Sequence, residues 1–151
     1  LRRKRINPRR KKILTRWVID CSFAAALFLP DKSSARVHEF FRTAIEPYEF
    51  SVPILWWYEL ANVLGMAERR KILKDAQIDR IIKLFSKFPL KTDAGFGLPF
   101  AQRIYEISRT YGLSSYDASY LELALRIHAP MATLDKQLAQ AAEASGIALY
   151  R

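Results

Sequence analysis

Trp17-Val-Ile-Asp-Cys-Ser-Phe-Ala-Ala-Ala-Leu-Phe-Leu-Pro30 joins two kinds of apolar run through one acid. The first run, 17–20, is short and contains β-branched residues, and it reads as a buried strand ending on Asp20. The second, 23–29, is rich in Ala and Leu. Ser22 stands where it can cap this run and Pro30 stops it, so it reads as a helix. The same alternation continues outward. Helices are predicted over 34–45, 54–70, 75–87, 98–111, 115–128 and 136–145, and short strands over 49–52, 90–92, 131–134 and 147–150. Strands separated by helices argue for an α/β fold with a parallel sheet covered on both faces. In such sheets ligands bind beyond the carboxyl ends of the strands, so polar groups at those ends are the ones to examine.

The chain has 151 residues, half of them hydrophobic and 26% charged, which suits a single globular domain and excludes a disordered or fibrous chain. No apolar stretch approaches the ~18 residues of a membrane span. A single cysteine excludes an internal disulfide and a cysteine metal site, and it fits a reducing cytoplasm. The net charge of +10 is unevenly placed: nine of the 25 basic residues lie in the first 16 positions, with no acid among them. The other 16 face all 15 acids. The chain therefore divides into a basic, flexible arm over 1–16 and a nearly neutral domain over 17–151. Arg9, Arg10, Lys11 and Lys12 of the arm are candidates for RNA phosphate contacts; the other reading is a leader with no role in binding. A signal peptide is rejected, because Asp20 interrupts the apolar region and no cleavage site follows.

Four acids sit where acids are costly. Asp20 ends the first strand, with Ser22 on the same side of an extended chain. Glu59 interrupts Ile54-Leu-Trp-Trp-Tyr-Glu-Leu-Ala-Asn-Val-Leu-Gly-Met-Ala67, a helix apolar nearly all round and so expected to be buried. Asn62 is the other polar break there, three residues on and on the same face. Asp117 lies just inside a helix, where Ser114 makes it equally a capping-box residue. Asp135, between a strand and a helix, is equally an N-cap. Two like charges about 4 Å apart repel by roughly 4 kcal/mol at an effective dielectric of 20, so these acids share one edge only if cations or arginines neutralise them. Oxygen ligands favour Mg²⁺ or Mn²⁺, and the accessible chemistry is metal-assisted phosphodiester hydrolysis.

Val18-Ile-Asp-Cys-Ser22, Tyr58-Glu-Leu-Ala-Asn-Val-Leu64, Ser115-Tyr-Asp-Ala-Ser-Tyr-Leu-Glu-Leu-Ala124 and Ala132-Thr-Leu-Asp-Lys-Gln-Leu138, in this order, resemble the PIN domain. More narrowly they resemble the VapC-type toxins of prokaryotic toxin–antitoxin pairs. The resemblance covers about 17–150. It implies a three-layer α/β/α sandwich with a central parallel sheet of four to five strands. It further implies an Mg²⁺- or Mn²⁺-dependent endoribonuclease, a homodimer and a VapB-type antitoxin. Carried over by position, Asp20, Glu59, Asp117 and Asp135 match the family's catalytic, metal-binding acids. Ser22 and Thr133 match hydroxyl positions that order the site, a role assigned here to Asn62 as well. The basic arm lies outside the family pattern.

Other chemistries fit less well. A haloacid-dehalogenase-type phosphatase needs a second acid where Ser22 stands, and a receiver domain needs an acidic pair that is lacking. A metal-free ribonuclease wants paired histidines, whereas His38 and His128 read as structural. Cys21 reads as a small buried hydrophobe, and Trp17, Trp56 and Trp57 as core or dimer-interface residues. The remaining alternative is a PIN-like module that binds RNA or protein without cutting.

Overall fold

The computed structural model describes residues 15–30, 34–43 and 48–150. In chain order the elements are β1 (Thr15–Ile19), α1 (Cys21–Ala25), α2 (Ser34–Thr43), β2 (Tyr48–Pro53), α3 (Leu55–Arg69), α4 (Asp75–Phe85), β3 (Leu90–Asp93), α5 (Leu98–Tyr111), α6 (Ser115–Ile127), β4 (Met131–Ala132) and α7 (Lys136–Ala144). The four strands form one sheet in the order β3-β2-β1-β4, and every pairing is parallel. The α/β fold read from the sequence is the fold observed.

The sheet order locates the site. From β1 the chain moves outward through β2 to β3, then crosses back to lay β4 on the other side of β1. The crossovers therefore run in opposite directions on either side of β1, which opens a crevice at the carboxyl ends of β1 and β4. Asp20 and Thr133 are the first residues past those two strands. The Asp20 backbone N–H donates to the Ala132 carbonyl at 3.0 Å and so continues the ladder into the crevice.

Val18 and Ile19 are fully buried, as central-strand residues must be. Phe23, Phe40, Phe50 and Tyr150 meet edge-on or tilted and form an aromatic core with Trp17. α6 packs on β1 and β2, α5 and α7 pack on α6, and α1 packs on α3. Trp56 and Phe85, with ring centroids 5.5 Å apart, fasten α3 to α4. Among the described residues no helix is long and apolar enough to cross a membrane.

Several expectations are corrected. β1 begins at Thr15, not Trp17, because Arg16 pairs in register with Glu49 and its guanidinium reaches that carboxylate at 3.0 Å. The rest of the expected arm, including Arg9, Arg10, Lys11 and Lys12, lies outside the described residues. Asp20, not Ser22, caps α1, which ends at Ala25. The expected last strand is reduced to a single parallel bridge, Met131 with Leu149. α3 is not buried all round. Trp56, Leu60, Leu64 and Ala67 form its inner stripe, while Tyr58 faces solvent and Trp57 is partly exposed. The Trp57 indole donates to Thr92 Oγ1 at 2.9 Å, a surface pin between α3 and β3.

Candidate active site

Asp20 is buried and its carboxylate is held by three donors among the described residues. Its Oδ1 accepts from the Ser22 backbone N–H at 2.9 Å. Its Oδ2 accepts from Ser22 Oγ at 2.7 Å and from Thr133 Oγ1 at 2.6 Å. The residue is thus a helix cap and a fixed carboxylate at once. Burial pushes its carboxyl above the usual range, the Thr133 and Ser22 hydrogen bonds oppose that, and the Asp117 charge adds to the rise.

Glu59 comes from the first turns of α3 and is half-buried. Its Oε2 accepts a hydrogen bond from the Tyr120 hydroxyl of α6. Burial raises this carboxyl too, against the Tyr120 bond, and the charges of Asp20 and Asp117 raise it further. The Tyr120 phenol is itself pushed far up, by burial and then by Glu59, so it remains a donor. Asp117 occupies the first turn of α6, where its N–H donates to Ser114 Oγ at 3.1 Å and its Oδ2 accepts from the Ser114 hydroxyl at 2.6 Å. Asp117 is thus a capping-box residue whose carboxylate is also fixed by Ser114, as Asp20 is a cap whose carboxylate is fixed by Ser22 and Thr133.

Asp20, Glu59 and Asp117 are brought within electrostatic reach of one another. Asp135 is linked to Asp20 through Thr133. It caps α7 by accepting from the Leu138 N–H at 2.7 Å, and it joins the site through its own N–H, which donates to Thr133 Oγ1 at 3.0 Å. It lines a cleft of about 400 Å³ with Ser22, Val63 and Leu134. Asn62 lines a second cleft, of about 420 Å³, with Glu59, Leu55, Tyr58 and Tyr116. Tyr120 was not singled out from the sequence. Its signal is its place three residues after Asp117 on one helix, with a hydroxyl that needs a partner once buried.

The donor set is carboxylate oxygen throughout, which suits a hard divalent cation. A cation would also offset the mutual repulsion that adds to the effect of burial at Asp20 and Glu59. As they stand, no three His, Cys, Asp or Glu side chains among the described residues converge closely enough to hold one ion. Cys21 is buried beside the site, and burial followed by the charges of Glu59 and Asp20 pushes its thiol up, so it is an inert packing residue. His38 and His128 are exposed, and His128 ends α6 in the left-handed conformation.

A parallel sheet of this order with acids at its switch point defines a class of acid-site α/β proteins, and a specific family matches it. The chain belongs to the PIN domain family, whose model matches residues 17–144. It is distantly related to VapC ribonucleases: it is 28% identical over 123 residues to Ribonuclease VapC3 of Pyrobaculum aerophilum, spanning 82% of this chain and 92% of that protein. Among solved structures, PAE2754 from Pyrobaculum aerophilum superposes with a TM-score of 0.63 at 22% identity, over 90% of this chain and 84% of that one. FitAcB from Neisseria gonorrhoeae gives 0.61 at 17% identity, over 89% and 96%. Mycobacterium tuberculosis VapC20, a sarcin-ricin loop cleaving toxin, gives 0.59 at 14% identity, over 83% and 94%. At these identities the superpositions speak for the fold.

Proposed function

We propose that this chain is a divalent-cation-dependent endoribonuclease that hydrolyses RNA phosphodiester bonds, and that it is the toxin of a toxin–antitoxin pair. The observation that carries the reading is the buried Asp20 carboxylate, fixed by Ser22 and Thr133 at the switch point and facing the charges of Glu59 and Asp117. Mg²⁺ or Mn²⁺ held by Asp20, Glu59 and Asp117 would supply an activated water and stabilise charge on the phosphate. The chain's own residues do the positioning. Thr133 and Ser22 orient the Asp20 oxygens, Tyr120 fixes Glu59, and Ser114 fixes Asp117 at a helix N-terminus. Asp135 acts through Thr133, and Asn62 shapes the wall of the Glu59 cleft.

The relatives' names, a ribonuclease and a toxin that cleaves an RNA loop, support RNA as the substrate. The basic arm adds phosphate contacts through Arg9, Arg10, Lys11 and Lys12. Deleting residues 1–14 should flatten the salt dependence of binding by about 0.7 per lost phosphate contact on single strands. A cytoplasmic nuclease of this kind calls for a VapB-type antitoxin, whose arginine or lysine would pair with the acids, and the homodimer belongs to the same reading.

The alternative reading is a PIN module that binds RNA or protein without cutting. One assay separates the two. Structured RNA incubated with the protein in Mg²⁺ or Mn²⁺ should be cut, and EDTA or Asp20→Ala should abolish cutting. Intact RNA with folded wild-type protein selects the binding module.

A further inference from the structure

Two large aromatic side chains stand in water beside the site. Tyr58 is 74% exposed and Tyr116 is 66% exposed. Each directly precedes a site acid, Glu59 in one case and Asp117 in the other. From two different helices they line one cleft of about 420 Å³ with Leu55, Glu59 and Asn62. Aromatic rings gathered at one concavity mark a binding surface more than scattered exposure does, and the volume lies within the ~300–1,000 Å³ usual for ligand sites.

We infer that this cleft seats one unpaired nucleobase of the RNA, stacked against Tyr58 and Tyr116. This rests on the nuclease reading above and adds to it a base-stacking subsite built on Tyr58 and Tyr116. Stacking on an aromatic ring accepts any base, because every base has a π-face. The polar part of the wall suits a base edge. The Asn62 amide offers a donor and an acceptor, and the Glu59 carboxylate accepts from the N–H groups that bases carry. An apolar side chain from a protein partner would strip water from Glu59 and Asn62 and return no hydrogen bond. A base inside a duplex has both its faces and its pairing edge occupied, so the site reads loops, bulges and single strands.

The test is binding of a short fluorescein-labelled single-stranded RNA, read by anisotropy in Ca²⁺, beside the same RNA annealed as a duplex. Tyr58→Ala and Tyr116→Ala should each weaken single-strand binding about tenfold and leave duplex binding as it was. Tyr58→Trp should restore it. Tyr105, also exposed but on α5 and outside the cleft, is the control, and Tyr105→Ala should bind as wild type does. Wild-type affinity in both cleft variants overturns the proposal, as does a wild type with no preference for the single strand. If Tyr58→Ala lowers the particle mass by light scattering and leaves RNA affinity intact, the cleft is an interface between copies and the base site is wrong. Cleavage is not read in this assay. A protein that binds as expected but fails to cut RNA in Mg²⁺ or Mn²⁺ loses the nuclease reading and keeps the base site.

Discussion

Thr133 Oγ1 donates to Asp20 Oδ2 at 2.6 Å, a buried bond joining the residue after β4 to the residue after β1. The same oxygen accepts the Asp135 N–H at 3.0 Å. Thr133→Val keeps the shape of the side chain and removes both bonds. It should lower stability by about 1–3 kcal/mol, the usual cost of stranding buried polar groups. Chemical denaturation measures this, with Thr133→Ser expected to recover most of the loss. An unaltered midpoint in Thr133→Val would show that the bond contributes nothing.

Asp20 takes up a proton more readily in the folded chain than in the unfolded one, chiefly because it is buried. Its contribution to stability is therefore fully present below the unfolded value, about 3.9, and is lost as pH rises through the higher folded value. Asp20→Asn cannot ionise and escapes this loss. In EDTA, the melting temperature of the variant relative to wild type should climb from about pH 4 to about pH 8. A difference that stays constant across that range would contradict the burial of an ionising Asp20.

Tyr120 lowers the Glu59 carboxyl by donating to it, against the burial and like charges that raise it. Tyr120→Phe removes that donor, so Glu59 should titrate higher and the acid limb of the pH–cleavage profile should move to higher pH. Stability should fall by about 1 kcal/mol, since half-buried Glu59 can recruit water. An acid limb that does not move would leave Tyr120 with a packing role alone.

Much of this was legible because the signals are local. A β-branched apolar run ending in an acid marks a strand end, which places Asp20, whereas Thr133 follows only from the family resemblance. What escaped depends on distant partners. Tyr120 bonds to a residue 61 positions away, and Trp57 to one 35 away. The apolar composition of α3 says nothing about which side the fold leaves open, so the exposure of Tyr58 was missed. The most deeply buried acid among the described residues also escapes a sequence reading. Glu122, 2% exposed against 7% for Asp20, is bonded to both Arg103 and Arg126, and Arg126 also holds Asp93. Ion pairing accounts for the burial of Glu122 and packing alone does not. Asp20, among the described residues, is buried with hydroxyl partners and no cation, which leaves its charge to be compensated.

The measurement that tests the central claim most directly is the rate of RNA cleavage against Mn²⁺ concentration for wild type and Asp117→Asn. Asparagine at 117 keeps the side-chain shape and the Ser114 cap while removing one charge from the group that faces Asp20 and Glu59. The wild-type rate should rise with Mn²⁺ and saturate, and Asp117→Asn should be slower by at least about a hundredfold at every concentration. Equal rates in the two proteins, or undiminished cleavage by wild type in EDTA, would contradict a metal-dependent site built on these three acids.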